Sequence, residues 1–406
     1  MRPHPPLLAD RERLSHLLGQ AGLDALILTE PENIYYTTSI WPPLEPMGQR
    51  DSSIAIVPKN PHEPIAFITY QFVYYYTQSD HAPASHIEPY LITGPQADHA
   101  APPATFPNRP GTAITPREQH RRDLIADIPD FYTSAQDAVT KALTAHNLQH
   151  SRLGYDSLTA ATLLTKAAPL ATGQDARDVL KNARLIKTPH EIALMRTASA
   201  ANVKAALLTA QKMRELGSIK SVRREFFQQV SALGNTPVFM AVDGIINENH
   251  DEALQDGTSV LIDCVSHHGH YHGDYGRTIF IGDPPPRIRA AVTAISTAIQ
   301  DLNQHLRPGL KFSQIPALGQ SLLAKHGDYK VPFGPHAVGL AHTDQPSTNL
   351  QGQPLDITLE PGMILSIDCP LMEADIGGTV HMEDLILITP TGAEPIHDTS
   401  VRTLSV

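Results

Sequence analysis

Four carboxylates in this chain stand where apolar runs end or turn back. Val260-Leu261-Ile262-Asp263 closes on an acid, and after His267-His268-Gly269 the chain returns through Tyr271-His272-Gly273-Asp274-Tyr275-Gly276-Arg277-Thr278. Two such runs around a glycine turn read as a hairpin that brings Asp263 and Asp274 together. The pattern recurs where residues 363–368 run in to Asp368, Gly377-Gly378 turns, and residues 380–385 run out with Glu383. Between the two hairpins lies His336, in Phe333-Gly334-Pro335-His336-Ala337-Val338-Gly339-Leu340. Acids embedded in apolar strands need a compensating charge. Ionised, Asp263, Asp274, Asp368 and Glu383 sum to −4, which two divalent cations would cancel. One imidazole among carboxylate oxygens, with no thiolate set, suits manganese, cobalt or zinc better than copper or an iron-sulfur cluster.

The elements that must carry these residues are legible in outline. Leu185-Ile186-Lys187-Thr188-Pro189-His190-Glu191-Ile192 leads into a long amphipathic helix, with Thr188 as cap and Pro189 at its first position. Ile192, Met195, Ala198, Ala201, Ala205 and Leu208 recur at helical spacing on the way to Met213. Upstream, Asp10-Arg11-Glu12-Arg13 opens another amphipathic stretch, and Leu23-Asp24-Ala25-Leu26-Ile27-Leu28 reads as a short buried strand. Asn33-Ile34-Tyr35-Tyr36 begins an apolar piece after Pro31, and residues 53–57 and 65–68 read as paired strands. Helical patterns cover residues 134–144 and 157–168. Alternation of this kind predicts an α/β layer domain over residues 1–175 and a second domain over 176–406. The proline-dense stretch 94–116 reads as a surface excursion or an interface arm.

Composition narrows the function classes. Of 406 residues, 31 are Lys or Arg and 42 are Asp or Glu, a net charge of −11, which argues against a nucleic-acid-binding surface. No run of about 18 apolar residues predicts a membrane span. Two cysteines, Cys264 and Cys369, are too few for a disulfide framework, and the amino end lacks a signal-peptide pattern, so a reducing, cytoplasmic setting is expected.

In order and spacing these motifs resemble the metallopeptidase family that includes aminopeptidase P, Xaa-Pro dipeptidase (prolidase) and methionine aminopeptidase, and in particular its aminopeptidase P and prolidase branch. The resemblance spans nearly the whole chain. Its marks are Gly22-Leu23-Asp24-Ala25-Leu26, Asn33-Ile34-Tyr35-Tyr36, Arg184-Leu185-Ile186-Lys187, Ile262-Asp263, Gly273-Asp274-Tyr275-Gly276-Arg277-Thr278, His336-Ala337-Val338-Gly339-Leu340, Leu359-Glu360-Pro361-Gly362-Met363 and Met382-Glu383-Asp384. It implies an α/β amino-terminal (creatinase-like) domain for cleft covering and dimerisation, and an α+β pita-bread catalytic domain. It also implies two divalent metal ions, manganese first and cobalt or zinc as substitutes, held by Asp263, Asp274, His336, Asp368 and Glu383. The implied activity is hydrolysis of the Xaa-Pro bond of dipeptides or short peptides, in a homodimer, with Asp368 handling the proton of the attacking water.

Departures from the family pattern fall on the substrate side. Asp368 stands where glutamate is usual, Thr343 where a second histidine is usual, Met372 where tyrosine is common, and His381 where many relatives carry arginine. His342, one residue before Thr343, is a catalytic candidate if a bulge turns it inward, since strand alternation alone points it to the opposite face. His250 is a second candidate, against a surface-loop alternative. His272 shares a strand face with Asp274 and is expected to line the cleft with Thr343 and His381, whereas His267, His268 and His270 read as a solvated hairpin tip. Arg277 and the two cysteines read as structural. These departures keep two other readings open: a non-peptide C-N hydrolase or lyase on the same scaffold, and a non-catalytic binding module.

Overall fold

A computed structural model describes residues 4–79, 81, 84–93, 113–373 and 376–406. The chain forms two compact units, one of residues 1–183 with 346–353 and the other of residues 184–345 with 354–406. Most of the proline-dense stretch lies outside the described residues.

The first unit is built on a seven-stranded mixed sheet in the order β5-β4-β3-β2-β1-β6-β7. Its strands are β1 (Ala25–Leu28), β2 (Ser53–Pro58), β3 (Ile65–Tyr70), β4 (Ile87–Ile92), β5 (Phe131–Tyr132), β6 (Arg152–Tyr155) and β7 (Thr172–Asp175). The expected pairing of β2 with β3 is antiparallel, with Ile54 opposite Ile68. Helices Ala135–Ala145 and Leu158–Ala167 begin where Ser134 and Ser157 accept hydrogen bonds from the backbone of Asp137 and Ala160. Ala138, Val139, Leu143 and Leu164 pack with Ile27, Ile56 and Ile68 of the sheet in one core. The apolar piece after Pro31 is a helix, Pro31–Thr38.

The second unit carries two four-stranded sheets, β15-β10-β9-β8 and β11-β12-β13-β14. The strands are β8 (Thr236–Val242), β9 (Thr258–His268), β10 (Tyr271–Ile281), β11 (Gly334–Ala337), β12 (Ile364–Asp368), β13 (Ile386–Thr389), β14 (Gly392–Pro395) and β15 (Thr403–Ser405). Hairpin β9–β10 is the one expected from sequence, with Asp263 opposite Gly276 and Asp274 opposite Val265. The second hairpin also closes, with Leu371 and Val380 exchanging backbone hydrogen bonds at 2.8 and 2.9 Å near its turn, but its arms part around the acids. Strand β12 pairs with β13 beyond the acid-bearing segment, while Glu383 bridges across to Gly276 of β10.

Helix Pro189–Ala210 starts with a full capping box between Thr188 and Glu191. Glu191 is itself buried and accepts a 2.8 Å hydrogen bond from the Tyr271 hydroxyl at the start of β10. The helix lies directly on Gly273, where a Cβ would meet the backbone of Ala198 and Ser199 at 2.9 Å. Its buried face is more polar than helical spacing suggested. Asn202 donates to the Cys264 carbonyl and accepts from the Ser266 hydroxyl, both at 2.7 Å, so both ends of this buried amide have a partner. Among the described residues, no helix is long and apolar enough to cross a membrane.

Candidate metal centre

Residues paired across a ladder share a sheet face. Asp263, Val265, Asp274 and Gly276 therefore share one face of β9–β10, while Cys264 and Tyr275 face the opposite core with Ile262 and Ile279. On the other sheet His336 is opposite Ser366, and Gly334 is opposite Asp368, which aligns His336, Ser366 and Asp368 and leaves Cys369 in the core with Ile367. Both cysteines are free and buried, as expected.

Glu383 reaches the first face because position 276 is glycine. A Cβ there would meet the His381 imidazole at 2.2–2.3 Å and the Glu383 Cβ at 2.9 Å. The bare backbone instead exchanges hydrogen bonds with Glu383, N to O at 3.2 Å and O to N at 3.0 Å. Arg277 locks the same segment from behind. It is fully buried, donates to the Glu383 carbonyl at 2.7 Å and to the Val401 carbonyl at 2.8 Å, and pairs with Asp384.

All five expected ligands converge. His336 Nε2 lies 3.6 Å from an oxygen of each of Asp274, Asp368 and Glu383, and Asp263 groups with Glu383 and His381 within 4.8 Å. Asp274 is fully buried and His336 is 8% exposed. Both Asp274 oxygens, Asp263 Oδ1 and both His336 nitrogens are buried with no hydrogen-bond partner. Such a set is costly unless a cation takes the lone pairs. Burial, and then the charge of Glu383, push Asp263 up to about 6 and Asp368 up to about 8, and raise Asp274 as well. Glu383 is held low against its burial by the neighbouring imidazoles of His336 and His381. The residues present thus fit divalent cations.

The remaining candidates divide. His342 belongs to the cluster, with Nε2 3.1 Å from Asp274 Oδ2. It lies in a run of bends after β11, so the strand-phase argument that aimed it away does not apply. His381 is buried, with Nε2 3.1 Å from Glu383 Oε2 and 4.0 Å from Asp368 Oδ1. His272 Nδ1 donates to the Gly339 carbonyl at 3.1 Å. Thr343 is exposed and touches His342 through Oγ1 at 3.4 Å. His250 is not among the clustered donors and pairs with Glu252 at 3.0 Å. The hairpin tip is not simply solvated, since the ring of His267 stacks on His270 and tilts toward His272, with centroids 5.2 and 5.6 Å apart.

Three contributors escaped the sequence reading. The Ser366 hydroxyl donates to Glu383 Oε1 at 2.7 Å, Phe239 meets the His342 ring edge to face at 5.7 Å, and buried Asp344 pairs with Arg184 at 2.6 Å. An acid at a turn two residues past a candidate histidine was the available signal for Asp344.

An oxygen-rich cluster of this kind on such a scaffold has the donor set of a divalent-metal centre. The chain belongs to metallopeptidase family M24, whose model matches residues 176–390. It is 23% identical over 370 residues to an Xaa-Pro dipeptidase of Pyrococcus horikoshii, covering 88% of this chain and 95% of that protein. It is 27% identical over 236 residues to an Xaa-Pro dipeptidase of Pyrococcus furiosus, covering 55% of this chain and 66% of the relative. A probable dipeptidase PepE of Mycobacterium tuberculosis matches at 26% over 55% of this chain and 61% of its own length. Thus two of these three curated relatives are matched over less than two thirds of their length. Among solved structures, an Xaa-Pro dipeptidase from Bacillus anthracis superposes with a TM-score of 0.67 at 19% identity, covering 98% of this chain and 99% of that one. The prolidase of Pyrococcus horikoshii gives 0.66 at 17%, covering 96% and 98%. These likenesses show the shared fold, a pita-bread domain preceded by an α/β domain.

Proposed function

We propose that this chain is an Xaa-Pro dipeptidase, or an aminopeptidase P acting on short peptides, that works with two divalent cations held by Asp263, Asp274, His336, Asp368 and Glu383. The observation that carries the reading is the convergence of these five side chains, with lone pairs of Asp263, Asp274 and His336 buried and otherwise unmatched, inside the span matched by the family model. Manganese is the proposed native metal, with cobalt or zinc as substitutes. When bound, the cations supply Lewis acidity, which makes water a nucleophile near neutral pH and polarises the scissile carbonyl.

The chain's own groups do the rest. Asp368, whose side chain is 39% exposed, takes the proton of the attacking water and returns it to the leaving nitrogen. Ser366 and His381 fix Glu383 from either side. His272, His342, Thr343 and His381 are proposed to line the substrate side. His250 stays a proposed contact from the loop before β9.

The first unit is proposed to cover the cleft and to mediate a homodimer, supported by an exposed aromatic group on helix Gln71–Gln78, where Phe72 is 42% and Tyr76 is 65% exposed. A cytoplasmic location is proposed on the free, buried state of both cysteines. The deciding measurement is proline release from a panel of Xaa-Pro dipeptides, longer Xaa-Pro peptides and non-peptide amides, with protein loaded with manganese, cobalt or zinc and with chelated protein. Metal-dependent cleavage of Xaa-Pro dipeptides is expected, and no release from any Xaa-Pro compound sinks the reading.

A further inference from the structure

The five ligands implied by resemblance include one imidazole, yet His342 brings a second to the same carboxylate. Its loop is held at both ends. The His272 backbone N–H donates to the Gly339 carbonyl at 3.0 Å, with the His272 ring on the same oxygen. Past His342, the Asp344 N–H donates to the Ala337 carbonyl at 2.8 Å, and its carboxylate accepts from Arg184 Nε at 3.1 Å and Nη2 at 2.6 Å. Between these holds the His342 ring packs against Phe239 and lies 4.8 Å, centroid to centroid, from His336.

The spacing of His342 Nε2 from Asp274 Oδ2 is that of two donors on a shared cation, and His336 Nε2 lies just outside it. Two donors each about 2.1 Å from one ion, at tetrahedral to octahedral angles, lie about 3.0–3.4 Å apart. Asp274 Oδ2 lies 3.1 Å from His342 Nε2 and 3.6 Å from His336 Nε2, and the three atoms fall within one 4.8 Å group. One cation among the three side chains engages Asp274, His336 and His342 together. Metal-bound histidines usually direct their other ring nitrogen to an acceptor, which fixes tautomer and orientation. Thr343 Oγ1, 3.4 Å from His342 Nδ1, stands there.

We propose that His342 is a cation ligand of this chain, completing with Asp274 and His336 a site of two imidazoles and a carboxylate, and that Thr343 is its positioning residue. The proposal rests on the two-cation reading above and deepens it. The shift of histidine by one position and the threonine that follows then form a single substitution, from a histidine beside the metals to a histidine on one of them. A second nitrogen donor moves this site's preference from manganese toward cobalt, nickel and zinc.

The test is cation stoichiometry and affinity by competition with a chromogenic chelator, together with the visible absorption of the cobalt(II) form. Wild type is compared with His342→Ala, Thr343→Val and Thr343→Ser, each checked for fold by circular dichroism. His342→Ala is expected to weaken one of two sites by more than about 100-fold and to change the cobalt spectrum. Exposed Thr343→Val is expected to weaken it by about 10-fold, with Thr343→Ser near wild type. His342→Ala that keeps both cations at wild-type affinity with an unchanged spectrum overturns the proposal, and a loss of dipeptide hydrolysis in that variant would then assign His342 to the substrate. Wild type that takes up no cation overturns the two-cation reading itself.

Discussion

Arg184 and Asp344 form a buried pair with Nη2 2.6 Å from Oδ1, their side chains 7% and 0% exposed. The pair joins the segment that leads into the long helix to the loop that presents His342. Removing one member strands a charge in the interior, so Arg184→Ala is expected to destabilise the second unit by about 3–5 kcal/mol. Urea denaturation measures this. A double change to Met and Leu is expected to cost less than Arg184→Ala, because neither member of the pair is left behind as a buried ion.

Gly276 is where β10 admits the His381 ring and the Glu383 backbone. Gly276→Ala is expected to cost about 1–3 kcal/mol through overpacking and to lower cation affinity far more than it lowers the melting temperature. Metal content by elemental analysis, beside a thermal melt, separates the two effects. An alanine variant with full metal content would contradict this account of the close approach.

Without cations, the acid cluster makes stability fall as pH rises. Asp263 at about 6 and Asp368 at about 8 lie above the value of about 3.9 expected in the unfolded chain. Their contribution is complete below the unfolded value and is lost as pH climbs through 6 and then 8. His381, raised to about 9 despite its burial by hydrogen bonding to Glu383, acts in the same direction. Glu383, held low, acts only at more acid pH. Chelated protein is therefore expected to melt at a lower temperature at pH 8.5 than at pH 6. Added manganese or zinc should restore stability by about 2.7 kcal/mol at a hundredfold excess over its dissociation constant.

The histidines at the β9–β10 tip work in the opposite sense. Burial lowers His267, brings His270 down to about 3 and His272 down to about 4. Their contribution is present above the unfolded value of about 6.5 and is lost as pH falls through the folded values. His270 has a φ of +65°, a conformation that asparagine tolerates. His270→Asn is expected to flatten the acid limb of the melting curve relative to wild type, and identical acid limbs would refute the account.

Capping and period made much of the scaffold readable in the sequence. Ser134, Ser157 and Thr188 start the helices they were expected to start, and the alternation around Asp263 and Asp274 specified their common face. The site was legible because acids in apolar strands are rare enough to notice. What escaped was partnership. Residues 380–385 could be read as extended, but nothing in their pattern says that Glu383 joins β10 while β12 takes β13. The place of His342 turns on a related point, since the strand whose phase would aim it away ends at Ala337. The buried polar face of the long helix hid its partners in the same way, because Asn202 is paired by residues more than sixty positions away.

Asp178 accepts hydrogen bonds from the Ser347 N–H at 3.2 Å and the Thr348 N–H at 2.9 Å, and residues 346–353 complete the first unit rather than the second. During synthesis the first 183 residues emerge long before that late segment, so the amino-terminal sheet must persist with one clasp missing until most of the second unit has been made. Folding of the two units is thereby interlocked in time, and truncation before residue 346 would leave the amino-terminal unit permanently unfinished.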